Sequence, residues 1–150
     1  MGDATSSHTV IVALSYGFAR EHAAALLGVS QGVEWDDWTS EELLTELPDK
    51  WTLSWVALGE GEVITGYLIA SAKPHPHVHR LMVSEQRRGE GLGRLLMQAF
   101  LERCRRLGGD TASIKVHESN IPSLRLQQSL GFEAVGTSST GYVELRKVLG

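Results

Sequence analysis

The sequence has one cysteine in 150 residues, Cys104, so no internal disulfide can form and a reducing compartment is expected. It has no long apolar run: stretches such as Val10-Ile11-Val12-Ala13-Leu14 are far too short to span a bilayer, so no membrane partner is expected. No basic stretch followed by an apolar core opens the chain, which argues against a secretory leader and for a cytoplasmic location. There are only four prolines and no low-complexity tract, so nothing reads as a linker or an internal repeat. Lysines and aromatics are not interleaved and the pI is near 5.8, which disfavours nucleic acid as a ligand. What is present suffices for a packed core: 42% of residues are hydrophobic and 21% charged, at a length of about one domain.

The net charge of −4 hides an asymmetry. Residues 1–62 carry eleven acids and two bases, whereas residues 63–150 carry seven acids and twelve bases. Seven of the acids fall between Glu34 and Asp49, and all four tryptophans (Trp35, Trp38, Trp51, Trp55) lie between 35 and 55. Carboxylates beside aromatic faces attract cations. Trp35, Asp36, Asp37 and Trp38 are therefore candidates for holding a cationic group, although a solvated acidic helix over core tryptophans fits the same pattern.

Periodicity predicts alternating strands and helices. Strands are expected at Val10–Leu14, Trp51–Leu58, Val63–Ala70, Val78–Ser84, Ala112–Val116, Phe132–Val135 and Tyr142–Val148. Helices are expected at Phe18–Val29, in a short segment capped by Ser40 and stopped by Pro48, at Leu92–Leu107 and at Asn120–Leu130. Gly59-Glu60-Gly61-Glu62 reads as the turn of a hairpin. The class is mixed α/β in one domain, residues 1–150 with a frayed end at 1–7.

Between the strand ending at Ser84 and the helix from Leu92 lies Glu85-Gln86-Arg87-Arg88-Gly89-Glu90-Gly91-Leu92-Gly93-Arg94. Alternating glycines let the backbone approach a ligand closely and leave amides unpaired at a helix N-terminus, a geometry that holds phosphate oxygens. Arg87, Arg88 and Arg94 add charge-assisted donors. The spacing G-x-G-x-G is neither the dinucleotide fingerprint nor a Walker loop. A diphosphate cradle of another kind is expected.

Gln86-Arg87-Arg88-Gly89-Glu90-Gly91 resembles the Q/R-x-x-G-x-G/A acyl-CoA signature of the GNAT acetyltransferases. Asn120-Ile121-Pro122-Ser123 through Leu130-Gly131-Phe132 is similar to that family's second motif, so the resemblance covers roughly residues 78–133. It implies a central, mostly antiparallel sheet of six to seven strands, splayed in the middle and flanked by about four helices, with acetyl-CoA wedged in the split. Met82 and Val83 would align the thioester, and the amides from Arg88 to Arg94, those of Gly89, Gly91, Leu92 and Gly93 among them, would take the diphosphate. Asn120 and Ser123 would meet the pantetheine arm. The family's tyrosine, seven residues after the asparagine, would protonate the leaving thiolate. Here Gln127 occupies that position and can only hydrogen-bond; Tyr142 or Tyr67 could stand in for it.

An ammonium acceptor must lose a proton before it attacks. His75, His77 and His79 alternate and would share one face of a strand. His79 or His77 is a candidate base and Glu118 the second candidate; a metal site on the three histidines is the minor alternative, and no metal is expected. The combined expectation is an N-acyltransferase moving acetyl from acetyl-CoA to an amine-bearing, cationic acceptor by direct attack. The alternative is an acyl-CoA sensor without turnover. The chain would act as a monomer or a homodimer.

Overall fold

The computed structural model describes residues 9–29, 38–72 and 75–150. Seven strands form one sheet: β1 (Val10–Ala13), β2 (Trp55–Leu58), β3 (Ile64–Ala72), β4 (Pro76–Val83), β5 (Thr111–His117), β6 (Glu133–Thr137) and β7 (Tyr142–Val148). Their spatial order is β1-β2-β3-β4-β5-β7-β6. Every neighbouring pair is antiparallel except β4 and β5. A parallel pair needs a crossover, and the helix α5 (Leu92–Arg106) supplies it.

Strands β2 and β3 are buried on both faces, which is why they read as continuous apolar runs. Leu68 and Ala70 of β3 face a core closed by Leu96, Met97, Phe100 and Cys104 of α5. Tyr67 and Ile69, pointing the other way, meet Leu14, Ala19, Leu26 and Leu43. The latter residues come from, or lie next to, three short helices: α1 (Tyr16–Glu21), α2 (Ala23–Gly28) and α3 (Ser40–Leu44). Residues 92, 96, 97, 100, 101 and 104 form the buried stripe of α5, each large side chain contributing roughly 1.5–3 kcal/mol. Cys104 is part of this stripe, and burial pushes its thiol up to about 12, so it is packing and not a nucleophile.

Two glycine stops explain sequence motifs. Gly108 (φ 81°) ends α5 with Gly108 N–H donating to Arg105 O and Gly109 N–H to Cys104 O. The same double bond closes α6 (Ile121–Ser129): Gly131 (φ 95°) donates to Gln128 O and Phe132 to Gln127 O, with Phe132 buried. Both are Schellman ends, and the Gly-Phe pair of the second motif is thus a helix stop with its apolar anchor.

Three expectations about local structure are corrected. Phe18–Val29 is not one helix but two, broken at His22 (φ −113°, ψ 25°). The cap of α3 is Thr39, not Ser40: Thr39 Oγ1 accepts from Glu41 N–H, and Glu42 Oε1 accepts from Thr39 N–H at 2.6 Å, a reciprocal box. The segment from Trp51 starts as a helical turn, α4 (Lys50–Leu53), and becomes strand only at Trp55. The cause is Lys50, 1% exposed, whose Nζ donates to the carbonyls of Glu42, Leu43 and Thr45 at 3.2, 2.7 and 2.7 Å. That ammonium satisfies carbonyls at the end of α3 and ties α4 to it. Burial pulls the Lys50 pKa down to about 8 although Glu46 opposes the shift.

Candidate active site

The site is a split in the sheet. Strands β4 and β5 pair at His77↔Ser113 and Val78↔Ile114, and their register ends there. Beyond Val78, alternate peptide groups of β4 turn away from β3 and into the gap. A bulge sharpens the divergence: Ala70 pairs with Val78 and Ile69 with Arg80, so His79 is an extra residue in β4. On the other side β3 presses tightly against β4, since a Cβ on Gly66 would stand 2.8 Å from the Met82 carbonyl oxygen. Any larger residue there would push the cleft wall.

Two contiguous clefts open from this gap. The first, about 860 Å³, runs along the glycine turn and contains all but one of the residues expected to bind the cofactor. Met82, Val83, Arg87, Arg88, Gly89, Gly91, Leu92, Gly93, Arg94, Asn120 and Ser123 line it, with Leu81, Pro122 and Leu126 as apolar additions. Gly89 (φ 85°) and Gly91 (φ 82°) hold left-handed conformations, and a Cβ on either would project into open space. Gly91 is also the N-cap of α5 and supplies no side-chain acceptor to the first-turn amides. Gly93 has a second role: a Cβ there would approach Leu126 Cδ2 to 3.1 Å, so the glycine lets α5 and α6 close on each other.

The arginines are held in place. Arg87 Nε donates to Glu90 Oε1 at 2.8 Å, Arg88 Nε to the Val83 carbonyl at 3.3 Å, and Arg94 Nη2 to Ser129 Oγ at 2.7 Å. Such tethering lowers the entropy lost when a phosphate arrives. Asn120 caps α6, its Oδ1 accepting from Ser123 N–H at 3.3 Å, and still borders the cleft. The residues thus fit coenzyme A: glycines at positive φ, an N-terminus without a capping side chain and three arginines at one end, apolar side chains along the arm.

The second cleft, about 370 Å³, lies between Trp38, His79, Arg80, Leu81 and Met82 on one side and Lys115, Val116, His117, Asn120, Ser123, Thr140 and Tyr142 on the other. It shares Leu81, Met82, Asn120 and Ser123 with the first, which fixes where two reactants would meet. His79 is exposed to this cleft, and its Nε2 pairs with Ser71 Oγ at 2.7 Å. Its ring stands edge-on to that of His77, 4.8 Å between centroids. Surrounding protein pulls the His79 pKa below the ordinary imidazole value, with Lys115 and Lys50 adding to the effect. His77, more enclosed, is pushed down to about 4. His75 Nε2 and His77 Nδ1 share Ser113 Oγ at 2.9 and 2.6 Å. His75 and His77 are thus joined through Ser113, while His79 bonds Ser71 and meets His77 by ring contact alone, and among the described residues no group of three His, Cys, Asp or Glu could hold a metal ion.

Two residues expected at the site, Gln127 and Glu118, find no place in the clefts. Gln127 is fully buried and lines neither of them; its carboxamide oxygen and nitrogen have no hydrogen-bond partner. Ser123 and Gln127 are four residues apart on the same side of α6, but one turn further along the helix the packing closes over Gln127 and seals it from the cleft. Glu118 also lines neither: it sits in the turn after β5, exposed, with its N–H on the Gly141 carbonyl at 2.8 Å. Trp35, Asp36 and Asp37 lie outside the described residues; Trp38 does border the acceptor cleft. The three described tryptophans each face a cation of the chain itself. Arg80 lies 4.8 Å from the Trp38 centroid, Lys50 4.9 Å from Trp51, and Arg103 4.9 Å from Trp55. Of the acids near the tryptophans, Glu42 completes the α3 cap and Glu46 accepts from Trp51 Nε1 at 2.7 Å.

Sequence reasoning missed Arg80, Lys115, His117 and Thr140. Arg80 carried a signal, a charge in the middle of the apolar strand Val78–Val83; it is 6% exposed and its Nε donates to Tyr67 Oη at 2.7 Å. The others become neighbours only through the β5–β7 pairing, in which His117 faces Tyr142.

The model of the Acetyltransferase (GNAT) family matches residues 20–132, and the chain belongs to that family. It is 38% identical over 58 residues to the L-methionine sulfoximine/L-methionine sulfone acetyltransferase of Pseudomonas aeruginosa. That match covers 39% of this chain and 34% of the relative, so the chain spans about a third of the length of the curated relatives it matches. The fold is similar to that of the NatC complex bound to Gag peptide and CoA, with a TM-score of 0.82 at 15% identity over 95% of this chain and 99% of the other. It is likewise similar to the ribosomal-protein-S18-alanine N-acetyltransferase from Escherichia coli, with a TM-score of 0.77 at 17% identity over 95% and 94%. No helix among the described residues is long and apolar enough to cross a membrane.

Proposed function

We propose that the chain is an N-acetyltransferase that carries the acetyl group of acetyl-CoA to a primary amine by direct attack. The observation that carries this reading is the junction of the two clefts at Leu81, Met82, Asn120 and Ser123. One arm has the phosphate-binding end and the other opens to a second reactant, so both can be present at once. Bringing the two reactants together in a fixed geometry supplies much of the catalysis.

Acetyl-CoA, when bound, supplies an activated acyl group. The chain's own residues do the rest. The amides at the head of α5, with Arg87, Arg88 and Arg94, hold the diphosphate. An N–H of β4 at Met82 or Val83, turned into the split, stabilises the charge that grows on the carbonyl oxygen. His79, kept neutral at neutral pH by its surroundings, is free to accept the proton that the acceptor ammonium sheds, with Ser71 fixing its ring.

The charges at the acceptor cleft favour a particular kind of amine. Its described lining includes Arg80 and Lys115 and no carboxylate. An amine that carries its own carboxylate meets complementary charge there, whereas a polyamine does not, which shifts the expectation away from a purely cationic acceptor. The relative named for L-methionine sulfoximine and L-methionine sulfone, amino acids with a free α-carboxylate, fits the same description.

The test is thiol release from acetyl-CoA with a panel comprising L-methionine sulfone, an alanyl peptide, spermidine and a neutral amine, each product checked by its mass gain. Turnover with at least one carboxylate-bearing amine, faster than with spermidine, is expected. Tight CoA binding with no release across the panel would overturn the assignment and favour a sensor without turnover.

A further inference from the structure

The GNAT reading leaves one step without an agent. As the amine attacks, the C–N bond forms and the C–S bond breaks, and the sulfur departs as a thiolate that needs a proton. Gln127 cannot supply it, being sealed in the core and carrying no titratable proton. The chain has three tyrosines. Tyr16 lies on α1 against Trp51, 5.7 Å between ring centroids, away from both clefts. Tyr67 is fully buried on β3, and its hydroxyl accepts from Arg80. Tyr142 alone of the three borders the cleft in which the reactants meet.

Its placement is fixed from two sides. β7 pairs Tyr142 with His117 across the ladder, and the two rings stand edge to face, 5.2 Å between centroids at 89°. His117 in turn is oriented by Ser119 Oγ on its Nδ1 at 2.7 Å. Both rings lie on the wall opposite His79, so a proton can be taken from the amine on one side and given to the sulfur on the other.

We propose that Tyr142 is the catalytic acid, its phenolic proton passing to the CoA sulfur as the thioester breaks. The balance closes within the site: the phenolate left behind is reprotonated by the proton that the acceptor ammonium releases, carried through His79 or water. This inference rests on the acetyl-CoA reading above.

The probe is CoA itself, titrated on the protein through the ultraviolet absorption of its thiolate. A phenol that donates to the sulfur stabilises the thiolate, so the bound thiol of the parent should titrate about one pH unit or more below that in Tyr142→Phe. CoA affinity at a pH where the thiol is neutral should agree between the two within about threefold, and acetyl transfer to the best amine should fall more than tenfold in the variant. Identical titrations, or a fall in transfer of less than tenfold, would overturn the proposal. Lys115, His117 and the nearby Glu118, Glu144 and Arg146 bear on the same volume, so Lys115→Gln is titrated in parallel. A depressed thiol pKa that persists in it supports Tyr142, and one that disappears assigns the effect to the lysine and overturns the proposal, even if the phenylalanine variant fails to fold. A parent that does not bind CoA at all removes the acetyl-CoA reading instead, which separates the two failures.

Discussion

Replacing Gly91 by valine should weaken CoA binding by on the order of 100-fold and lower the stability of the protein by about 1–3 kcal/mol. The two losses have one origin. Gly91 sits at φ 82°, ψ 12°, a region a β-branched residue enters only with strain. Nothing of the protein lies within 4 Å of a Cβ built there, so crowding is not the cause of the cost. The side chain would instead occupy the open cleft, in front of the amides of Leu92 and Gly93 proposed to hold the diphosphate. A valine that rotates its backbone to relieve the strain turns those amides away, and one that does not blocks them. Gly17→Ala is the control: it lies inside α1, with free space around the added methyl, and should leave CoA binding unchanged while stabilising the helix by about 0.5–1 kcal/mol. Calorimetric titration with CoA and thermal unfolding read both effects; equal affinities for Gly91→Val and the parent would show that the turn is not the cradle.

Gln127→Leu should raise stability by about 1–3 kcal/mol, roughly 2–4 °C of Tm for each kcal/mol in a chain of this size. A buried amide that has lost water and gained no partner is penalised at both its oxygen and its nitrogen, and leucine fills nearly the same volume without either polar atom. The backbone role of residue 127 is untouched, since its carbonyl still receives Phe132 N–H at 2.9 Å and the end of α6 keeps its geometry. CoA affinity should stay within about twofold. A lower Tm, or a tenfold loss of CoA affinity, would show that the carboxamide makes a contact on the cofactor side. Differential scanning calorimetry with and without CoA separates these outcomes.

The halves of the chain were not equally legible in the sequence. Residues 78–133 declare themselves because their functions are carried by local backbone: Gly89 and Gly91 at positive φ, the uncapped start of α5, the Asn120 cap and the Gly131-Phe132 stop are each a matter of a few consecutive residues. The long helix α5 was equally plain, its buried stripe repeating over four turns. Errors gathered where long-range contacts override local preference. Trp51 has strand propensity, yet the buried Lys50 beside it closes a helical turn onto the end of α3. Three of the four tryptophans meet the chain's own Lys50, Arg80 and Arg103, contacts that the composition does not reveal. Gln127 inherited a place in the site from the motif's spacing, and only the packing of α6 shows which way the side chain turns. The acceptor wall of Lys115, His117 and Tyr142 comes from pairing β5 with β7 over some 25 residues, a register that periodicity alone does not specify.

The central claim is that the bend from Arg88 to Arg94 grips a diphosphate, and the most direct measurement is a pair of calorimetric titrations, with CoA and with pantetheine, at low and high salt. Pantetheine keeps the thiol arm and lacks the diphosphate. CoA should bind at least about 100-fold more tightly than pantetheine, and the gap should narrow as salt screens the arginines. Equal affinities for the two, or no heat of binding with CoA at either salt concentration, would contradict the account.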